Sequence, residues 1–290
     1  MQTAQITAIT QMHTLLTETA YGHESRDSMT SQEAMPFSTT GTPFALEIVD
    51  VGRTFGALEA LRNVSMQIAA GERRAVLGAN GAGKTTLFNA ITGDFPPTSG
   101  KIRLYGEDIT HLATHERIRR GLRRTYQQTR LFLDLSVRDN LFLALRGVAR
   151  RRFSFRRPGP DDKVLDQAEM TARFVGLQEV LHRFVGELSH GQQRQLEIGM
   201  ALAGAPRIML LDEPAAGLSA AERKNLVTML DGLPRHIGFI IIEHDLEVAL
   251  KVVDSVTIMH NGTVFMEGSP AAIQNDPEVQ SIYLGENKNS

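Results

Sequence analysis

The sequence predicts an α/β fold whose strand-bearing core is interrupted by a largely helical insertion. Three observations predict it. Apolar runs of strand length recur, IMLLD at 208–212 and FIIIE at 239–243 among them. A glycine-rich loop, GANGAGKTT at 78–86, has a strand pattern leading in and a helix pattern leading out. The stretch from about 111 to 200 is mainly helical in pattern.

The elements follow in order. FALEIVDV (44–51) alternates as a half-buried strand does, and so does LRNVSMQIA (61–69). RRAVLG (73–78) enters the glycine loop, and KTTLFNAITG (84–93) reads as a helix ended by Gly93. KIRLYG (101–106) is a further strand. Within the insertion, SVRDNLFLALRG (136–147) and DDKVLDQAEMTARFVG (161–176) are the clearest helices. Strand signals return with RIMLLD (207–212), GFIIIE (238–243) and DSVTIMHNGTVFMEG (254–268), where Asn261-Gly262 marks a two-residue hairpin turn. Helices fill 219–232, 245–252 and the C-terminal tail. Residues 1–43, rich in Thr, Ser, Gln, Met and Gly, predict a disordered extension. Ile6, Ile9, Met12, Leu15 and Leu16 give that extension a weak helical stripe, and 286–290 form a short tail.

Bulk composition narrows the function classes. The chain has 290 residues, a net charge of −2 and 42% hydrophobic residues, enough for a real core. It has no cysteine, which excludes disulfides and thiolate metal sites. No apolar run reaches the roughly 18–20 residues of a membrane span. No Lys or Arg precedes Arg26, so neither a secretory nor a transit peptide is expected. The near-neutral charge gives no argument for nucleic acid.

Gly78, Gly83, Lys84 and Thr85 match G-x-x-x-x-G-K-[ST]. Such a loop, Gly78, Ala79, Asn80, Gly81, Ala82 and Gly83, lets successive backbone N–H groups curl round phosphate oxygens. Lys84 supplies a point charge to the β- and γ-phosphates, the Thr85 hydroxyl binds Mg²⁺, and Thr86 continues the helix whose positive end faces the anion. The motif alone indicates a nucleoside triphosphate. In IMLLDEPAAGLS, Asp212 stands where a Mg²⁺-side carboxylate belongs, and Glu213 follows at once. Successive residues of a strand point to opposite faces, so one carboxylate can face the metal while the other polarises a water. His244 trails the strand FIIIE, one expected to neighbour that of Asp212, within reach of the γ-phosphate.

The order glycine loop, glutamine segment RTYQQTRLF (124–132), LSHGQ (188–192), LLDEP, EHD resembles the nucleotide-binding subunit of ABC transporters across most of 44–285. The resemblance implies a P-loop NTPase (RecA-like) core, an antiparallel β subdomain and an inserted α-helical subdomain. It implies an ATPase that uses ATP and Mg²⁺, with Glu213 activating water and His244 and Lys84 on the phosphate. It also places Ser189, Gly191 and Gln192 on ATP held by a second, head-to-tail subunit, closing a two-fold dimer. Gln127 matches the glutamine that touches Mg²⁺ and the membrane partner, with Gln128 the competing candidate. Phe55 falls where an aromatic stacks on adenine; ordinary core packing is the alternative. Two departures stand out: His190 replaces a common glycine, at some expected cost in backbone freedom, and Ser219 replaces a common Asp. Neither removes Lys84, a carboxylate or His244, so hydrolysis is still expected.

GANGAGKTTLFNAITG, LEIGMALAGAPRIMLLDEPAAGL and the ending EGSPAAIQNDPEVQSIYLGE are similar to importers of branched-chain amino acids and their urea- and amide-importing relatives. LSHGQ with LEIGM leans to the urea branch. The implied partners are a like or similar ATPase subunit, two transmembrane permease subunits and, indirectly, an extracytoplasmic solute-binding protein. The implied place is the cytoplasmic face of the inner membrane, held peripherally. The neighbouring alternative is a lipid or lipopolysaccharide exporter. A soluble ABC ATPase of ribosomes or DNA would usually carry two cassettes or long heptads, and a decayed regulator would have lost Glu213 or His244. The basic stretches RIRRGLRR (117–124) and RGVARRRFSFRRPGP (146–160) read as a solvated face, or as a contact for anionic lipid or partner loops.

Overall fold

The computed structural model describes residues 44–125, 131–148 and 163–280. Gln127 and Gln128, the extension 1–43, most of the 146–160 stretch and the tail lie outside the described residues. Two compact units are present. Of the described residues, 44–125, 207–231 and 235–280 form a sheet-bearing unit, and 131–148, 163–206 and 232–234 form a helical one.

The sheet-bearing unit holds two sheets. In the first, β1 (Phe44–Phe55), β2 (Leu58–Ala69), β4 (Ser99–Leu104) and β5 (Glu107–Asp108) run antiparallel in the order β2-β1-β4-β5. The second comprises β3 (Arg73–Leu77), β6 (Leu122–Arg124), β7 (Ile208–Asp212), β8 (Gly238–Ile242), β9 (Ser255–His260) and β10 (Thr263–Gly268), in the order β10-β9-β3-β8-β7-β6. All its pairs are parallel except the β9–β10 hairpin. That hairpin turns on Asn261 (φ 47°) and Gly262 (φ 78°), the two positive φ angles a type I′ turn needs.

Every residue of β3, β7 and β8 is buried, which is why the latter two read as unbroken apolar runs. In β3 the run begins with two arginines, and Arg74 is neutralised by Glu72 and Glu267 at 2.7 and 2.5 Å. One core joins both sheets to α1 (Lys84–Thr92), with Leu46, Ile48, Leu61, Phe88, Leu210 and Ile240 at its centre. The α1 helix ends at Gly93, in left-handed conformation, as the sequence indicated.

Two arginines of the basic stretch 117–124 depart from the solvated-face reading, while Arg119 is exposed as that reading expects. In α2 (Thr114–Arg119), Arg117 is 1% exposed. Its guanidinium donates to the carbonyls of Ala90 and Ile91 at the end of α1, and to those of Thr110 and Leu112. Burial pushes its pKa down to about 10. Arg124, at the end of β6, is also buried. These two arginines are internal ties, unavailable to lipid.

The helical unit packs α3 (Val137–Val148), α4 (Lys163–Phe174) and α5 (His190–Ala201) together, Gly199 sitting against Leu141, Thr171 and Val175. The sequence placed the insertion from about 111, but α2 and β6 group with the sheet-bearing unit, because β6 pairs with β7.

Candidate nucleotide site

Three parallel strands place the site. β8 lies between β3 and β7, so the loops leaving their C-terminal ends emerge side by side, as functional loops do in open α/β sheets. β3 delivers the glycine loop, β7 delivers Asp212 and Glu213, and β8 delivers His244. The expected adjacency of the Asp212 and His244 strands is present, with Asp212 in register with Ile242.

A cavity of about 380 Å³ opens there, lined by Asn80, Gly83, Lys84, Thr85, Glu213 and His244 among others. Gly81, Ala82 and Thr86 also line it. Side chains would block the loop: a Cβ at Gly78 would lie 2.2 Å from the Met259 carbonyl oxygen, and one at Gly83 2.8 Å from that of Ala60. Lys84, 6% exposed, donates from Nζ to the carbonyls of Gly78 (2.5 Å) and Ala79 (2.8 Å). Thr85 is exposed on the cavity wall.

Glu213 and His244 meet: His244 Nε2 lies 2.9 Å from Glu213 Oε1. Glu213 takes a left-handed backbone (φ 46°), and its N–H donates to Ile242 O at 2.9 Å. Asp212 is 1% exposed. Its Oδ2 accepts from Arg124 at 2.7 Å, while Oδ1 is buried with no hydrogen-bond partner among the described residues. A buried anionic oxygen left without a partner is the hard-oxygen donor type Mg²⁺ prefers, as is the hydroxyl of Thr85 on the cavity wall. The residues present therefore fit that ion.

Phe55 does not line the cavity. It is 43% exposed, edge-on to Phe95 with centroids 5.4 Å apart, and Arg53 lies 4.5 Å over its ring. Ser189, Gly191 and Gln192 belong to the helical unit. Ser189 is the N-cap of α5, and its Oγ accepts from Gln192 N–H while its own N–H donates to Gln192 Oε1. His190 opens the helix, where helical backbone suits any ordinary residue, so the expected cost in backbone freedom is not incurred. Ser219 likewise caps α6 (Ala220–Asp231), its hydroxyl and N–H both donating to Glu222 Oε2.

Sequence reasoning missed Arg124 and Glu243. Glu243 is 3% exposed between Ile242 and His244 and accepts the Ala215 N–H at 2.6 Å. Its only sequence signal was a charge at the end of an apolar strand.

The family model described as "ABC transporter" matches residues 61–216, more than half of the chain. The chain belongs to the ABC transporter ATP-binding family. A second model, described as "Branched-chain amino acid ATP-binding cassette transporter", matches residues 263–288. BraF of Pseudomonas aeruginosa, a high-affinity branched-chain amino acid transport ATP-binding protein, is 35% identical over 83% of this chain and 98% of its own length. LivG of Escherichia coli K12, of the same description, is 36% identical over 80% of this chain and 94% of its own. Among solved structures, an ABC transporter ATP-binding cassette in its ADP conformation matches with a TM-score of 0.74 and 29% identity, over 84% of this chain and all of that one. The ABC family member described here is an ATP-binding, ATP-hydrolysing subunit. Its fold is the ABC cassette: a P-loop core with an antiparallel sheet and a helical unit.

Proposed function

We propose that this ATPase hydrolyses ATP in the cavity between the glycine loop and the Glu213–His244 pair, and that turnover drives uptake of branched-chain amino acids through membrane permease partners. One observation carries the chemistry: a phosphate loop, a buried lysine and a carboxylate–imidazole pair line a single cavity.

The residues divide the work. The loop amides and Lys84 hold the β- and γ-phosphates, Lys84 exchanging its contacts with Gly78 and Ala79 for phosphate oxygens. Glu213 accepts a proton from water as the water oxygen bonds to the γ-phosphorus and the bond to the bridging oxygen of ADP breaks. His244 orients that carboxylate at 2.9 Å and reaches the γ-phosphate. Phe55 stacks on adenine. Thr85, Asp212 Oδ1 and, by resemblance, Gln127 hold Mg²⁺, which neutralises phosphate charge when bound. Ser189, Gly191 and Gln192 cap the ATP of a second, like or similar subunit, supported by the exposed helix start at Ser189.

Among the described residues no helix is long and apolar enough to cross a membrane. The relatives' descriptions as transport ATP-binding proteins support a peripheral place on the cytoplasmic face of the inner membrane, with two permease subunits and indirectly a solute-binding protein. The match of 263–288 and the relatives' descriptions favour branched-chain amino acids over lipid export.

The test is to recover the tagged full chain from its own membranes with its associated subunits. Two polytopic permeases, with ATPase activity rising when a leucine-loaded binding protein is added, support the proposal. Stimulation by a urea- or amide-loaded protein instead moves the substrate to that branch. Recovery with ribosomes, DNA or a lipid-export complex overturns the transport assignment and leaves the ATP chemistry standing.

A further inference from the structure

One buried carboxyl takes no part in the chemistry above. Glu243 is 3% exposed and does not line the nucleotide cavity. Burying a carboxyl is costly unless hydrogen bonds meet it. Here they come from two loops. The Ala215 N–H donates to Oε1 at 2.6 Å, and the backbone N–H groups of His244 and Asp245 also hold the charged form. Burial still wins, and pushes the carboxyl up to about 7.

The connectivity is informative. Ala215 stands two residues after Glu213, in the loop leaving β7, and Glu243 stands one residue before His244, in the loop leaving β8. Glu243 therefore ties together the two loops whose side chains form the Glu213–His244 pair. A second tie at this level is the Glu213 N–H to Ile242 O bond. Glu213 sits there in a left-handed backbone, a conformation that costs an ordinary residue energy and needs support from its surroundings.

We propose that Glu243 is a positioning residue for ATP hydrolysis, holding the Glu213 loop against the His244 loop so that carboxylate and imidazole face the γ-phosphate together. The inference rests on the roles proposed for Glu213 and His244. What matters is the acceptor oxygen at its present reach; the negative charge does not. Glutamine keeps that oxygen in place. Aspartate keeps the charge but withdraws the oxygen by one methylene. A displacement of about 1 Å in a catalytic group is enough to lower turnover by about 100-fold.

The experiment measures kcat and KM for ATP with the full chain, for wild type, Glu243→Gln, Glu243→Asp and, as control, Glu213→Gln. Binding of a fluorescent ATP analogue checks that each variant is folded. The expected result is that Glu243→Gln stays within about threefold of wild-type kcat. Glu243→Asp should lose about tenfold or more in kcat with KM nearly unchanged, because the glycine loop and Lys84 are built on β3 and α1. The opposite order, with Asp active and Gln inactive, overturns the proposal in favour of a role for the charge. Wild-type kcat in both Glu243 variants, with Glu213→Gln inactive, overturns this inference alone. Turnover by Glu213→Gln overturns the reading of the site on which it rests. Equal loss of ATP binding and kcat in both Glu243 variants makes the role one of stability and likewise overturns it.

Discussion

Replacing Arg124 with leucine removes the cation buried against Asp212. The pair is 2.7 Å apart, with side chains 5% and 1% exposed. Arg124 also donates to Asn89 Oδ1 at 2.6 Å and to Asp94 Oδ2 at 3.0 Å. Removing one partner of a buried pair strands the other charge and costs about 3–5 kcal/mol. The Asp94 contact adds little, since Asp94 is 31% exposed and such pairs are worth about 0–1 kcal/mol. The expected loss is about 4 kcal/mol, which lowers Tm by about 8–16 °C in a unit of this size. Urea and thermal unfolding of wild type, Arg124→Leu and Arg124→Lys measure it. Lysine keeps the charge without the fork, so it should recover part of the loss. If Asp212 holds Mg²⁺ as proposed, the ion should raise the leucine variant's midpoint more than the wild type's. A leucine variant within about 1 kcal/mol of wild type would refute the reasoning, because the stranded carboxylate is its whole basis.

Three further outcomes are expected. Phe55→Ala should leave stability within about 1 kcal/mol, the side chain being half exposed, but weaken ATP binding by about 1–3 kcal/mol in a nucleotide titration; unchanged affinity returns Phe55 to packing on Phe95. Ser189→Ala should cost about 1 kcal/mol in urea unfolding by loss of the cap, and lose ATP-driven dimerisation beyond that cost; a dimer of wild-type strength removes Ser189 from the nucleotide. Glu243 gives a pH dependence: its folded carboxyl, raised by burial and by neighbouring Asp245 from 4.5 to about 7, holds a proton that the unfolded chain releases. The stability this gives is fully present below pH 4.5 and is lost as pH rises through 7, by about 3 kcal/mol at ~1.4 kcal/mol per pH unit. Glu243→Gln should abolish that slope, and a wild-type-minus-variant difference that stays flat from pH 5 to 8 contradicts it.

Local rules account for what could be read in advance. The glycine loop, the Asn261-Gly262 turn and the Gly93 stop each depend on a backbone conformation that few residues adopt, so they are visible in a few letters. β7 and β8 show as apolar runs because both their faces are covered. The hidden features depend on distant chain. Arg117 looks solvated in a string of basic residues, yet the carbonyls it serves at the end of α1 lie 26 and 27 residues away. Arg124 meets Asp212 across 88 residues, and Glu243 meets Ala215 across 28. A charge in a sequence does not reveal whether folding brings it a partner. The three-residue β6 was absorbed into the helical insertion because only its pairing with β7 makes it a strand. The cost expected of His190 is absent because Ser189 and Gln192 form a reciprocal cap and the helix starts at His190.

The most direct measurement is ATP binding and steady-state hydrolysis by Glu213→Gln beside wild type. The variant keeps the glycine loop, Lys84 and a neutral side chain of the same shape next to His244. Retained ATP affinity, loss of turnover by about 100-fold or more, and accumulation of an ATP-bound dimer are expected if Glu213 is the base. Turnover at the wild-type rate would contradict the assignment and move the base to another group of the cavity.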